Sequence, residues 1–212
     1  MAYDLIGKNF EPPDLRGKVT GKAKYAEDFR AEGMVFARLL TSPLPHGKIN
    51  AIDTSTALKM EGVHDVLIAG DIPGQNDIAP VLEDEQILAS DIVQYVGHPL
   101  ALVVAENYDI AFHAAKEVVV EYKVLKPMLS LADALEQEEF TFSPPTIRRG
   151  DPEGVIASAR HKISGEVACG GQDHFYLEGQ IALAQPGEQT DIIVYSSTQH
   201  PTEVQHSVSN VL

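Results

Sequence analysis

Apolar residues in this chain fall into short runs whose period changes from place to place. Met34 to Leu40 (MVFARLL) reads as a strand, closed by the turn-rich Ser42-Pro43-Leu44-Pro45-His46-Gly47, and Lys48 to Ile52 as another. Ser55 to Met60 predicts a short helix, capped by Asp53 or Thr54 and stopped at Glu61-Gly62. Val63 to Ala69 is extended and runs into Asp71-Ile72-Pro73-Gly74. Between Pro73 and Ile87 the chain is polar and without period, a surface loop carrying the acidic run Glu83-Asp84-Glu85. Leu100 to Ala105 is apolar throughout, as a strand covered on both faces must be. Asn107 or Asp109 can cap a helix through Lys116, with Ile110, Ala111, Ala114 and Ala115 along one side, and β-branched Val118 to Tyr122 follows. This β-α-β rhythm makes residues 17–127 one mixed α/β unit, preceded by an arm at 1–16.

After Pro127 the composition turns against packing. A short helix around Ser130 to Gln137 leads into Glu138, Glu139 and Ser143-Pro144-Pro145, so residues 128–146 read as a linker. In the second unit, 147–212, Asp151 caps a helix with Pro152 in its first position, where no amide donor is required, and that helix runs to about Arg160. Strands are predicted at Ser164 to Cys169, Gln180 to Ala184 and Ile192 to Ser196, the last two joined as a hairpin through Pro186-Gly187. A closing helix, Thr202 to Leu212, sets Val204, Val208 and Val211 on one face and has no Gly, Pro or charged cap, which reads as an interrupted domain. The predicted class is α/β of the mixed α+β kind.

Composition narrows the functional field. The 212 residues carry 16 basic and 31 acidic side chains, a formal charge of −15. Such a surface repels phosphate backbones and anionic lipid, so neither nucleic acid nor membrane is an expected partner. The lone Cys169 excludes an internal disulfide, a four-cysteine zinc site or an iron–sulfur cluster ligated by this chain alone. The N-terminal MAYDLIGKNFEPPDLRGK has no signal-type apolar core, and the longest apolar stretch, Pro99 to Ala105, is too short for a bilayer; a soluble, cytoplasmic protein is expected. The eight histidines are scattered, and His200 and His206, six apart, point about 240° apart on a helix and cannot clamp one ion. No G-x-S-x-G elbow, G-x-x-x-x-G-K loop or G-x-G-x-x-G fingerprint occurs.

Two polar segments of the second unit combine glycine, amide and aromatic side chains. In Gly170-Gly171-Gln172-Asp173-His174-Phe175-Tyr176-Leu177-Glu178 the paired glycines permit close backbone approach or positive φ. Gln172, His174, Tyr176 and Glu178 alternate along an extended chain, either as a polar edge or as paired groups at a strand entry. The other segment, Tyr195-Ser196-Ser197-Thr198-Gln199-His200-Pro201, leaves the last strand and opens the last helix, the kind of turn where α/β proteins meet ligands. Gln199 offers two donors and an acceptor without ionising, suited to a polar cofactor or to capping the helix.

These residues resemble the molybdenum-binding large subunit of the xanthine dehydrogenase and aldehyde oxidase family. The resemblance is carried by Lys18 to Asp28 (KVTGKAKYAED), Ser42-Pro43, His46-Gly47-Lys48-Ile49, Ile52-Asp53-Thr54-Ser55, Gln94 to Pro99 (QYVGHP), GGQDHFYLEGQ from Gly170 and YSSTQHP from Tyr195. It implies an a/b hammerhead domain over 17–127, then the beginning of a molybdenum-cofactor-binding domain at 147–212. It also implies a molybdenum–molybdopterin cofactor, with Gln199 near the molybdenum and hydrogen-bonding an oxygen on the metal. Gln172 and Glu178 fall in a matching motif as residues that help position the turn. No catalytic residue is implied here: the family's next glycine-rich loop, substrate arginine and catalytic glutamate lie beyond the matching stretch. The implied partners are iron–sulfur (2Fe–2S) and FAD subunits or domains and the remainder of the large subunit. The implied reaction is hydroxylation of a purine such as hypoxanthine or xanthine, or a similar N-heterocycle, with water-derived oxygen, the wording GGQDHFYLE being closest to xanthine dehydrogenases. The piece is expected not to turn over alone. Two other readings stay open: an aldehyde-oxidising subunit, and a non-catalytic assembly module whose helix face at Val204, Val208 and Val211 is completed by another polypeptide.

Overall fold

Seven residues from Pro99 to Ala105 form the strand around which the first half of the chain is built. The computed structural model describes residues 6–79, 82–143, 145–176 and 179–212. In chain order its elements are α1 (Leu15–Val19), β1 (Phe36–Thr41), β2 (Gly47–Asp53), β3 (Val63–Ile68), β4 (Ile92–Val93), β5 (Pro99–Ala105), α2 (Tyr108–Lys116), β6 (Val119–Val124), α3 (Leu131–Glu136), α4 (Pro152–Ser158), β7 (Ala182–Pro186), β8 (Ile192–Ser196) and α5 (Pro201–Val211). The result is the expected mixed α/β fold, but every strand pair among the described residues is antiparallel, so the β-α-β rhythm there does not generate a parallel crossover.

One sheet has the order β1-β5-β3, the second β4-β2-β6, and β7 and β8 make a separate hairpin. Because β5 is the middle strand of its sheet, both of its edges are paired and its side chains supply two apolar clusters. Ala101 and Val103 pack with Ala57, Val66, Ala114, Ala115 and Val118, while Leu100 packs with Ile49, Ala89 and Val93. Leu40, Ile52 and Val120 border both clusters and join them into one core. The alanines of α2 have no side chain to hold the helix away, so α2 lies close against β1 and β5. Its start is fixed by Asn107, whose side-chain oxygen accepts from the Ile110 amide at 2.9 Å.

Several expectations change in detail. The helix read at Ser55 to Met60 shrinks to one 3-10 turn, Ala57–Lys59, because Met60 is already extended (φ −71°, ψ 136°) and Gly62 turns the chain at φ +82°. The strand read at Ser164 to Cys169 is absent: those residues pair with no neighbour and are exposed. The loop at 73–87 has no helix or strand among its described residues, yet it is fastened: Asn76 donates to the Leu88 carbonyl at 2.7 Å and accepts from its amide at 3.0 Å. The same loop meets the end of α5. The carbonyls of Val211 and Asn210 accept from the amides of Gly74 and Gln75 at 2.9 and 2.8 Å.

A candidate cofactor-facing turn

The hairpin of β7 and β8 aims the chain at the segment that the sequence singles out. Ser197, the first residue past β8, is tied back to the entry of β7: its hydroxyl donates to the Gly179 carbonyl at 2.9 Å and accepts from the Ile181 amide at 3.1 Å, while its own amide donates to the Ile181 carbonyl at 3.1 Å. Thr198 then accepts from the His200 amide through its hydroxyl at 3.0 Å. His200 caps α5, its Nδ1 accepting from the Glu203 amide at 3.1 Å, with Pro201 following in the first helical position.

Gln199 lies between these fixed points. The capping role that its position allowed belongs to His200, a residue whose function as a cap no local pattern announces, since Ser, Thr, Asp and Asn are the usual capping types. The Gln199 side chain is exposed and has no hydrogen-bond partner among the described residues. Its carboxamide is therefore a free pair of donors and a free acceptor, held on a turn whose backbone is fastened on both sides. Tyr195, on β8, stacks against Phe29 of the first unit with ring centroids 4.7 Å apart.

The described part of the GGQDHFYLE segment, Gly170 to Tyr176, makes no hydrogen bond with the turn, whereas Gly179, which follows the segment, is bound by Ser197. Gly170 and Gly171 are exposed, a Cβ on either would meet nothing within 4 Å, and neither has a positive φ, so the structure shows no close approach there. Gln172 and His174 are exposed, and no hydrogen bond joins Gln172 to Gln199 among the described residues. Glu178 lies outside the described residues. Among the segment's described residues Phe175 alone has a positive φ, at 50°; it is 92% exposed and its amide donates to Asp173 at 3.0 Å.

A cleft of about 580 Å³ in the first unit is lined by Asn76, Asp77, Glu83, Asp84, Asp91 and His98 among others. One of its carboxylates serves the loop: Asp77 accepts from the amides of Ala79 and Glu85 at 2.8 and 3.0 Å. His98 is buried, and burial holds its pKa below the ordinary histidine value, against the opposing pull of the Gln86 backbone and the Glu85 charge. Among the described residues no group of three or more His, Cys, Asp or Glu could hold a metal ion, and no helix is long and apolar enough to cross a membrane. The described residues thus offer a metal no ligand set of their own. At the turn the chain offers the unpaired carboxamide of Gln199, able to donate two hydrogen bonds and to accept at its oxygen.

Comparison with known proteins bears on both halves. Residues 20–126 match the model of the aldehyde oxidase and xanthine dehydrogenase a/b hammerhead domain, and residues 134–212 match that of the molybdopterin cofactor-binding domain. A xanthine dehydrogenase of Dictyostelium discoideum is 37% identical over 195 residues, covering 92% of this chain and 14% of that protein. Aldehyde oxidase 2 of Cavia porcellus is 38% identical over 212 residues, covering 99% of this chain and 16% of that protein. The crystal structure of quinoline 2-oxidoreductase from Pseudomonas putida 86 superposes with a TM-score of 0.84 at 26% identity, over 97% of this chain and 28% of that one. The chain therefore spans about a sixth of the length of the curated relatives it matches.

Proposed function

As this chain belongs to the aldehyde oxidase and xanthine dehydrogenase family, we propose that it is the part of a xanthine dehydrogenase-like molybdenum hydroxylase that presents Gln199 to the molybdenum–molybdopterin cofactor. The family is one of oxidoreductases, and the match over 134–212 makes the second half a molybdopterin-binding unit. The observation that carries the assignment of Gln199 is its free, exposed carboxamide on a turn fixed by Ser197, Thr198 and His200.

The residues present fit one edge of such a group. When bound, the cofactor supplies the redox chemistry of an oxygen insertion. The chain's own part is positional. Gln199 holds an oxygen acceptor of the group by a neutral N–H, so the contact leaves the charge of the site unchanged and does not titrate near neutral pH. Ser197 sets the height of the turn on the β7–β8 hairpin and His200 sets the start of α5, which together limit the directions the carboxamide can take. One such contact does not bind a large polar cofactor tightly; several loops are needed, and we assign the others to the portion of the relatives that this chain does not span.

The division we propose is a hammerhead unit over 17–127 after an arm at 1–16, a linker at 128–146 and the cofactor unit at 147–212. Its support is that the two family matches, 20–126 and 134–212, leave residues 127–133 between them, a gap that overlaps the start of the linker. The expected partners are iron–sulfur and FAD subunits or domains and the remainder of the large subunit, and the expected location is the cytoplasm. A purine is the proposed substrate, supported by the wording from Gly170 to Glu178. Aldehyde oxidation is the second reading, favoured by the 38% identity to an aldehyde oxidase. The test is to assemble the enzyme with its partners and measure molybdenum and pterin content together with turnover of xanthine and of benzaldehyde. Metal- and pterin-loaded enzyme that prefers xanthine is the expected result. A preference for benzaldehyde overturns the purine reading, and assembly without molybdenum or pterin overturns the enzymatic one in favour of an assembly module.

A further inference from the structure

The helix that begins two residues after Gln199 meets the other half of the molecule at its far end. In α5 the carbonyls of Asn210 and Val211 accept from the backbone amides of Gln75 and Gly74, at 2.8 and 2.9 Å. Those donors belong to the loop that follows β3, and that loop is anchored in its own unit. Asn76, next to Gln75, exchanges two hydrogen bonds with the backbone of Leu88, a residue only 4% exposed.

Gly74 is needed for this contact because of space alone. No positive φ marks it, so its backbone is open to any residue type, but a Cβ there would sit well inside the contact distance of the Asn210 carbonyl oxygen and 2.8 Å from that of Val211. Both obstacles are backbone atoms, so no rotamer change makes room; the helix end or the loop must move.

A helix of 11 residues is about 16 Å long and passes a displacement from one end to the other as a stiff rod. At the near end the turn is fixed to the hairpin by Ser197, and the hairpin itself rests on the first unit where Tyr195 stacks on Phe29. Gln199 thus lies between two contacts with the first unit, one on β8 before it and one at the end of α5 after it. We propose that Gly74 is a positioning residue, which fixes the axial placement of α5 and so the place of the Gln199 turn relative to the hammerhead unit. The consequence for the cofactor rests on the reading of Gln199 given above; the mechanical link does not.

The test uses the assembled enzyme carrying Gly74→Ala, read by backbone amide hydrogen exchange over 195–212, by the Mo(V) electron paramagnetic resonance spectrum and by kinetics with xanthine as the probe. Exchange should rise about tenfold or more, at the last turn of α5 and also at the Glu203 and His200 amides at its start. The Mo(V) spectrum should change at constant molybdenum content, and kcat should fall on the order of tenfold or more with little change in KM, as expected when a contact is misplaced rather than lost. Faster exchange confined to the last turn, with Glu203 and His200 unchanged, overturns the proposal, since Gly74 is then only a local cap. Should the alanine variant not assemble, Gln75→Pro removes one of the two donors without a Cβ at position 74 and is judged by the same two amides. Gln199→Ala, run beside it, separates the two claims: an unaltered Mo(V) spectrum there refutes the role of Gln199, while exchange at Glu203 and His200 still decides that of Gly74.

Discussion

Three neighbours share the stereochemistry of the turn at 197–200, and the fourth residue is left free by them. Ser197 and Thr198 spend their hydroxyls on local backbone, His200 spends its Nδ1 on the helix, and Gln199 keeps both ends of its amide. His98 shows the opposite condition, a polar ring that is buried and partnered. It is 3% exposed, stacks on Tyr95 at 4.6 Å, and its Nδ1 accepts from the Gln94 amide at 3.3 Å, an arrangement that leaves no room for a second ring proton. Burial depresses its pKa, so the unfolded chain takes up a proton near pH 6.5 while the folded chain does not until lower pH. The stability this gives is complete above about pH 6.5 and is lost as pH falls from there through the folded value. Urea unfolding of the chain should show a midpoint that declines between about pH 7 and 5.5, and His98→Asn, though less stable at pH 7, should lose most of that decline. A decline of the same size in both proteins contradicts the assignment. Sequence spacing pointed to Gln199 through its place between strand and helix. It could not tell that His200 would take the cap, because that depends on a ring rotamer and not on residue type.

At the scale of elements, the strands with the clearest apolar patterns fall within a residue or two of where the pattern puts them, and so do α2 and α4 with their Asn107 and Asp151 caps. Strand β5 is where the pattern and the packing agree most fully, since Leu100 to Ala105 is apolar throughout and is paired on both edges. Leu100 is fully buried between Ile49, Ala89 and Val93. Leu100→Ala should therefore cost about 2–5 kcal/mol of folding free energy, measured by urea unfolding, because the surrounding strands cannot collapse into the space. A loss below about 1 kcal/mol contradicts this packing. Elements that escaped the pattern did so for physical reasons. Two-residue β4 is too short to show a period, and Ser164 to Cys169 has a strand-like composition but no neighbouring strand to pair with.

Across the whole molecule the least legible features are the contacts between the two units. The Phe29–Tyr195 stack and the donation from Gly74 and Gln75 to α5 join residues far apart in sequence, and neither leaves a local period behind. The second unit also keeps large apolar side chains in water: Ile147, Ile163 and Val167 are 99%, 101% and 87% exposed. A surface of that kind in a chain spanning about a sixth of its relatives suits a unit that functions inside a larger enzyme. The claim on which this rests is that the Gln199 carboxamide touches the cofactor, and the most direct measurement of it is the Mo(V) electron paramagnetic resonance spectrum of the assembled enzyme with and without Gln199→Ala, compared at equal molybdenum content. A shift in g-values and in coupling to exchangeable protons is the predicted result. Superimposable spectra would place that side chain away from the metal centre and contradict the account.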